Sequence, residues 1–200
     1  MTTAAQKNKS AITLKGSAEI VCDYLNYGIN SILFQRGLYP PESFKSDENY
    51  GLTILMSTDN KIKEFLSTTL GWLVDRTVNK VALVITNVKT LEIMERWDFN
   101  VEYEGDVANG EQTSEKPLKQ IKNEIRDVLK QIASSVAYLP LLDCLCSFDI
   151  QIYTKSDVEL PAEWAEAEPA NIKNAQSVKM RTFSTNIHKM ETVVTYKNDD

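Results

Sequence analysis

The sequence predicts an α+β fold in which an antiparallel sheet packs against three helices. Three stretches carry apolar residues at helical spacing, and several others are β-branched or alternate between apolar and polar residues, as strands do. These elements do not alternate strictly between strand and helix, which argues against a parallel sheet. No internal repeat or change of composition divides the 200 residues. We therefore expect a single domain over 1–200.

The first two helices lie in the N-terminal half. Residues 1–10 are polar and are expected to form a flexible tail. An apolar stripe predicts a helix over 17–35. Residues 51–56 are predicted to form a short strand, and a second helix follows Asp59, a plausible N-cap. Trp72 lies off the apolar stripe of this second helix, so it is either shielded elsewhere or part of a surface site.

Two strands follow and are expected to form a hairpin. Residues 81–86 are mostly β-branched and predict a buried strand, and 91–103 alternate as a long antiparallel strand does. The face of the second strand directed at the core is predicted to comprise Leu91, Ile93, Trp97, Phe99, Val101 and Tyr103. Glu95 is the single break in this alternation. The acidic, aperiodic residues 104–116 predict a loop.

The last third of the chain contains one helix, one strand and a long connection. The clearest apolar stripe predicts a helix over 117–138, and 144–153 alternate as a half-buried strand whose cysteines are small core residues. The pattern dissolves over 155–177 and becomes strand-like again over 178–196. Connections longer than about 12–15 residues are uncommon inside compact domains and tend to be functional or mobile.

This final strand pair admits two interpretations. The strands either close the sheet permanently or detach without unfolding the remainder of the domain. Detachment would leave an edge of unpaired N–H and C=O groups, with which an extended peptide could pair. The pattern by itself favours permanent closure.

Composition limits the classes of function. The chain has 28 acidic and 22 basic residues and a net charge of −6, so neither nucleic acid nor an anionic membrane is expected as a partner. It has one histidine, three cysteines without a CxxC pair, and none of the common nucleotide-binding or hydrolase motifs. We therefore expect a protein that is not an enzyme and has no cofactor or metal, although chemistry by carboxylates alone stays open.

Six collinear stretches carry a resemblance to a known family. They are ITLKGSAEIV (12–21), YGINSILFQRGLYPPESF (27–44), YGLTIL (50–55), LEIMERWDF (91–99), YLPLLDCLCSFDIQIYT (138–154) and MRTFSTNIHKM with VVTYK (180–197). Over about Ile12 to Lys197, the chain resembles the HORMA-domain proteins of the spindle assembly checkpoint, which belong to the mitotic-arrest-deficient set.

The resemblance implies a HORMA-type sheet with two conformers. In the open form the C-terminal strands cover a sheet edge. In the closed form they swing across the sheet as a mobile safety belt around a bound peptide and displace the N-terminal strand. The belt would occupy 155–200, with its loop at 155–177 and its strands at 178–196.

The resemblance also implies residue roles, for each of which an ordinary structural role is the alternative. Peptide binding is implied for Trp72, Phe148, Ile150, Gln151, Ile152, Tyr153 and Tyr196. A part in the conformational switch is implied for Leu14, Arg181, Phe183 and His188. Dimerisation of open with closed copies is implied for Lys130, Gln131 and Tyr138. Lys130 replaces a family arginine, which would weaken that contact because lysine lacks the planar donor fork.

The partners implied by the resemblance act in mitosis. They are a coiled-coil kinetochore protein of the mitotic-arrest-deficient set, the mitotic activator of the anaphase-promoting complex, a checkpoint kinase-like protein of the mitotic checkpoint complex, and a remodelling AAA+ ATPase with an adaptor for the closed form. Trapping the activator would delay anaphase, and the implied locations are nucleus, kinetochore and cytoplasm. The alternative is a HORMA adaptor of another pathway, such as a subunit of a translesion DNA polymerase.

Overall fold

Three helices cover one face of a six-stranded antiparallel sheet, as the sequence predicts. The structure is a computed structural model that describes residues 11–105, 112–155 and 166–198, so the predicted tail 1–10 lies outside the described residues. The helices are α1 (Leu14–Gln35), α2 (Asn60–Val74) and α3 (Leu118–Ser134). The strands are β1 (Ile12–Thr13), β2 (Phe44–Asn49), β3 (Leu52–Ser57), β4 (Val78–Asn87), β5 (Ile93–Tyr103), β6 (Thr113–Ser114), β7 (Cys146–Thr154), β8 (Ala175–Lys179), β9 (Phe183–Ser184) and β10 (His188–Lys197).

Helix α1 is the central helix of the helical layer. It begins three residues earlier than predicted, because the hydroxyl of Thr13 caps it by accepting the N–H of Gly16 at 3.1 Å. Leu14 is thus its first residue and is half-buried. The helix is buried around most of its circumference, since it packs against α2, α3, β3 and β10.

Strand β5 departs from the predicted alternation at its N-terminal end. The register between β4 and β5 shifts beside Ile85, which pairs with Glu95, while Thr86 pairs with Ile93. The extra residue lies between Ile93 and Glu95, so Glu95 keeps the face of Trp97, points into the helical side of the core and is 1% exposed. The prediction that Ile93 and Leu91 face this core is wrong: Ile93 packs on the opposite face of the sheet, and Leu91 is 77% exposed.

The C-terminal strands lie at the edge of the sheet opposite to β7. The order of strands is β7-β4-β5-β10-β8, with β9 beside β10. Strand β10 pairs with β5 from His188–Tyr103 to Tyr196–Glu95, and β8 begins at Ala175, three residues before the predicted start. Among the described residues, no strand pairs with the outer edge of β7. This is the closed arrangement that the resemblance implies.

Two further features concern membranes and metals. No helix in the described ranges is both long enough and apolar enough to cross a bilayer. Within those same ranges, no three His, Cys, Asp or Glu side chains come together as a metal site would require.

Candidate peptide-binding edge and belt

Strand β7 forms an exposed edge of the sheet and contains five of the predicted peptide-binding residues, Phe148, Ile150, Gln151, Ile152 and Tyr153. Phe148, Ile150 and Ile152 pack in part against the core on the helical side. Gln151 and Tyr153 belong to the opposite face, where the hydroxyl of Tyr153 donates to Oε1 of Gln151 at 3.2 Å. The backbone groups on the outer side of such a strand can pair with an extended peptide.

The other two predicted pocket residues lie in different elements. Trp72 is in the last turn of α2, where it packs in part against the core. Tyr196 is near the end of β10, separated from β7 by β4 and β5, and its hydroxyl donates to Oε1 of Gln176 at 3.0 Å. The structure thus unites the residues of β7, while a pocket shared by Trp72, Ile150 and Tyr196 stays a prediction.

The described part of the belt before β8 lies on the outer face of the sheet, opposite the helices. Between β7 and β8 the chain must traverse four strand spacings, about 19 Å. On this path Ala170 is buried against Ala82 and Val84, and the carbonyl of Ala170 accepts a hydrogen bond from Nη1 of Arg96. Nε of Arg96 in turn donates to Oδ2 of Asp98 at 2.9 Å, which orients the guanidinium. Sequence reasoning assigned no role to Arg96, because no local pattern marks a contact with a residue so distant in the chain.

On the helical side, His188 joins the belt to α1 and α2. Its Nε2 lies 3.3 Å from the carbonyl oxygen of Leu73, which can only accept, so Nε2 carries the proton of the neutral ring. Nδ1 therefore accepts from the hydroxyl of Ser17 at 2.6 Å. Burial lowers the pKa of His188 to about 4. The sequence-implied switch residue His188 is thus held as a neutral ring in the closed arrangement.

A second predicted switch residue, Phe183, is buried and lies opposite Met190 of β10. Its ring meets that of Tyr24 edge to face, with centroids 4.8 Å apart. The hydroxyl of Tyr24 is 2.5 Å from that of Thr192 in β10, so one α1 side chain contacts two parts of the belt.

The belt also contacts α3, the helix with the predicted dimerisation residues. Oε1 of Gln131 accepts the backbone N–H of Arg181 at 2.6 Å, and Nη1 of Arg181 lies 3.4 Å from Oδ2 of Asp127. A predicted dimerisation residue and a predicted switch residue are therefore in direct contact. Lys130, near the end of α3, and Tyr138, four residues after that helix, are both exposed.

A buried ion pair anchors β5, and the sequence pattern showed it only as a break in alternation. Oε2 of Glu95 lies 2.9 Å from Nη2 of Arg36, and Oε1 accepts from the indole of Trp97 at 2.5 Å. Burial raises the pKa of Glu95, while Arg36 and the indole N–H oppose that rise. Nη2 of Arg36 also donates to the carbonyl of Pro140 at 2.6 Å, so this pair ties the end of α1 to the connection before β7.

Comparisons with known proteins agree with this architecture. The sequence model of the HORMA-domain family matches residues 17–188. The chain is 47% identical to the mitotic spindle assembly checkpoint protein MAD2A of Dictyostelium discoideum over 199 residues, which cover 97% of each chain. It is 42% identical to the human protein of that name over 193 residues, covering 94% of each.

Solved structures of related proteins have the same fold. A chain in the crystal structure of the Mitotic Checkpoint Complex superposes with a TM-score of 0.81 at 36% identity, covering 92% of this chain and 99% of that one. The C. elegans protein HTP-2 bound to a HIM-3 closure motif has a TM-score of 0.73 at 12% identity, covering 92% and 91%, which is a likeness of fold alone.

Proposed function

The chain belongs to the HORMA-domain family, in its group of mitotic spindle checkpoint proteins, and from that premise we propose that it is a checkpoint adaptor that traps an extended peptide of another protein. The peptide would add as a strand to the outer edge of β7. The belt would then keep it in place. Binding, rather than a chemical step, would be the whole of this activity.

One observation carries the proposal. The next described strand after β7, β8, lies at the opposite edge of the sheet, and Ala170 in the connection between them is bonded to Arg96 on the outer face. A peptide on β7 would thereby be enclosed by the belt as well as hydrogen-bonded to the strand. Release would require the belt to open, which makes dissociation slow.

For partners, we propose the proteins that the resemblance implies. The coiled-coil kinetochore protein and the activator of the anaphase-promoting complex would supply peptides, and the kinase-like protein would join the complex formed with the activator. The AAA+ ATPase with its adaptor would reopen the belt. These roles would place the chain at kinetochores, in the nucleus and in the cytoplasm. A translesion-polymerase adaptor is not favoured, because the relatives that are 34% to 47% identical are all named as spindle checkpoint proteins.

We further propose that an open copy pairs with a closed one through Lys130, Gln131 and Tyr138. Gln131 supports this proposal because its side chain is bonded to Arg181 when the belt is closed. In a conformer with the belt elsewhere, that amide would be available to another molecule. The dimer surface would then differ between the two conformers, as pairing of unlike copies requires.

A backbone-methylation scan tests strand addition without altering the protein. Labelled peptides from the activator and from the coiled-coil protein each carry one N-methyl group, moved along the sequence one residue at a time. Strand addition predicts that methylation weakens binding about tenfold or more at every second residue, because alternate N–H groups face the partner strand. A loss without this period of two would contradict the proposed mode. Peptides from a translesion polymerase serve as the comparison set.

A further inference from the structure

A basic groove lies between the first turns of α3 and the turn that joins β2 to β3. It encloses about 490 Å³ and is lined by Tyr50, Gly51, Leu118, Lys119, Lys122, Asn123 and Arg126. None of these residues belongs to β7, to the belt or to the predicted dimerisation set. The groove therefore stands apart from the site of peptide trapping.

The wall formed by the turn is held rigidly. Asn49 pairs with Leu52, and the two residues between them have positive φ angles, 54° at Tyr50 and 69° at Gly51, as in a two-residue hairpin turn. A side chain at positive φ is unfavourable, so contacts must hold Tyr50 in place. Its ring meets that of Tyr27 edge to face at 5.7 Å, and its N–H donates to Oδ1 of Asn49 at 2.9 Å.

Helix α3 separates its charges between two sides. Its two acidic residues face the belt: Oε2 of Glu124 lies 3.4 Å from the backbone N of Ser184 and 2.7 Å from Nζ of Lys116, and Asp127 faces Arg181. The cations at positions 119, 122 and 126 follow the spacing i, i+3, i+7 and so share the other face. That face borders the groove.

Few carboxylates lie close enough to neutralise these three cations. In the described part of the chain, neither Lys119 nor Lys122 makes a hydrogen bond or an ion pair within 4 Å. The carboxylate nearest to Arg126 is that of Asp127, 3.9 Å from Nε, and this Nε is buried without an acceptor. The groove is thus a concentrated positive site on a chain of net charge −6.

Two carboxylates in the adjoining cleft limit where an anion can sit. Glu19 and Asp23 line that cleft, which shares Tyr50, Leu118 and Lys122 with the groove. Burial and Glu19 raise the pKa of Asp23, while Lys122 opposes the rise, so Lys122 is partly engaged. An anion is therefore held best near Lys119 and Arg126, which line the groove but not the cleft with Asp23.

We propose that this groove binds a short acidic segment of a partner protein. Carboxylate or phosphate groups would pair with Lys119, Lys122 and Arg126, and an apolar side chain between them would rest on Tyr50 and on Leu118, which is 47% exposed. From position 119 to 126 the helix rises about 10 Å, the length of about three residues of extended peptide. The net negative charge of the chain argues against nucleic acid as the occupant.

The test measures binding of three labelled peptides to the full chain by fluorescence anisotropy. The peptides share the frame Gly-Glu-Leu-Ser-Glu-Leu-Glu-Gly; one is unmodified, one is phosphorylated at serine, and one has glutamines in place of glutamates. We expect the first two to bind, with the phosphorylated form tighter if phosphate is the preferred anion, and the neutral one not to bind. Lys119→Glu and Lys122→Glu should each weaken binding about tenfold, and added salt should do the same.

The matched control is Lys63→Glu, which makes the same charge reversal on the exposed face of α2 and should change binding less than twofold. Thermal unfolding of each variant verifies that it is folded. Equal binding of the neutral peptide, or unchanged binding by Lys119→Glu and Lys122→Glu, would overturn the proposal. So would a loss of self-association in these variants without any effect on the peptides, because the occupant would then be a second copy of the chain. Trapping on β7, measured with the methylated peptides, is independent of all these outcomes.

Discussion

Among single residues, His188 makes the closed arrangement sensitive to acid. Its ring is neutral, since Nδ1 accepts from Ser17 and Nε2 donates to Leu73; a second proton on Nδ1 would force the Ser17 hydroxyl to accept instead of donate and would place a buried charge. The folded-state pKa, about 4, lies below the ordinary value of 6.5. Above pH 6.5 the ring is neutral in both the folded and the unfolded chain, and His188 makes its full contribution to the stability of the fold. As pH falls from 6.5 towards 4, only the unfolded chain binds the proton, so stability is lost.

We expect this residue alone to lower the free energy of unfolding by about 2 kcal/mol between pH 7.5 and pH 5. Urea unfolding at the two pH values measures the change, and His188→Gln is the control that removes the titrating group. Carboxylates such as Glu95 titrate in both proteins, so the difference between them isolates the histidine. Equal loss of stability in wild type and variant would contradict the assignment.

Leu91 is strained in the turn between β4 and β5. Its φ is 58°, a left-handed conformation that costs a side-chain-bearing residue about 1–2 kcal/mol. With 77% of the residue exposed, packing within the chain offsets little of this cost. Leu91→Asn should raise the free energy of unfolding by about 0.5–1 kcal/mol, since asparagine tolerates this conformation.

Leu91→Ala is the matched control for the turn. It removes the exposed side chain but keeps the unfavourable φ, so its effect should stay within about 0.5 kcal/mol. Chemical denaturation of the three proteins at one pH measures both changes. If asparagine and alanine shift the midpoint equally, side-chain exposure rather than backbone strain determines the effect.

At the scale of elements, the belt depends on its fastening to β5. Arg96 is the one described side chain that donates to the carbonyl of Ala170, and a hydrogen bond from a charged donor contributes about 1.5–3 kcal/mol. Arg96→Met should therefore speed the release of a trapped peptide about tenfold or more. Asp98 keeps Lys80 as a partner, at 3.3 Å, so the fold should persist.

Release is measured by following a labelled peptide after addition of excess unlabelled peptide. Lys89→Met is the matched control, because it removes a cation in the same way from the exposed turn between β4 and β5, away from Ala170. An Arg96→Met protein that releases the peptide as slowly as wild type would show that the contact with Ala170 does not restrain the belt.

Elements with a strong local pattern could be predicted from the sequence. Helix α3 was predicted from its apolar stripe, and five of these positions, Ile121, Ile125, Val128, Leu129 and Ile132, are buried. Strand β2 was not predicted, because its sequence FKSDEN is polar and its strand pairs only with β3 in a two-stranded ribbon. Ile93 could not be placed, because a register shift relative to β4 reverses the face of the strand there. Glu95 shares the face of Trp97, but its buried partner Arg36 is distant in the sequence, so no local pattern assigned it to the core.

The candidate site was predictable only in part, because many of its contacts join residues that are far apart in the sequence. Alternation located β7, and the long aperiodic stretch located the belt. The contacts that hold the belt join residues far apart in sequence, such as Arg96 to Ala170 and Ser17 to His188. Neither end of such a contact has a periodic signal, since each is set by the path of the belt across the folded sheet.

For the whole molecule, the belt is held on three sides at once. It is fastened to the outer face through Arg96, within the sheet by the pairing of β10 with β5, and on the helical side through His188 and Arg181. Opening therefore breaks a strand pairing and exposes buried side chains of β10 together, rather than one contact at a time. Interconversion of conformers should be slow, and peptide release should be limited by belt opening.

A disulfide across β5 and β10 tests whether the belt encloses its peptide. Glu102 and Lys189 are opposite each other in the register of these strands, at the surface, so Glu102→Cys with Lys189→Cys should cross-link on oxidation. The chain from residue 102 to residue 189, which includes β7 and the connection to β8, then forms a covalently closed loop. A peptide fused to a folded domain at each end cannot thread through that loop.

We expect the oxidised protein to reject this blocked peptide when it is added afterwards, and to retain it for hours when it was loaded before oxidation. Reduction should restore both loading and release. The single-cysteine variants, oxidised in parallel, control for the native Cys22, Cys144 and Cys146. If the cross-linked protein loads the blocked peptide as fast as the reduced one, the peptide lies outside the belt, and slow release must come from strand pairing on β7 alone.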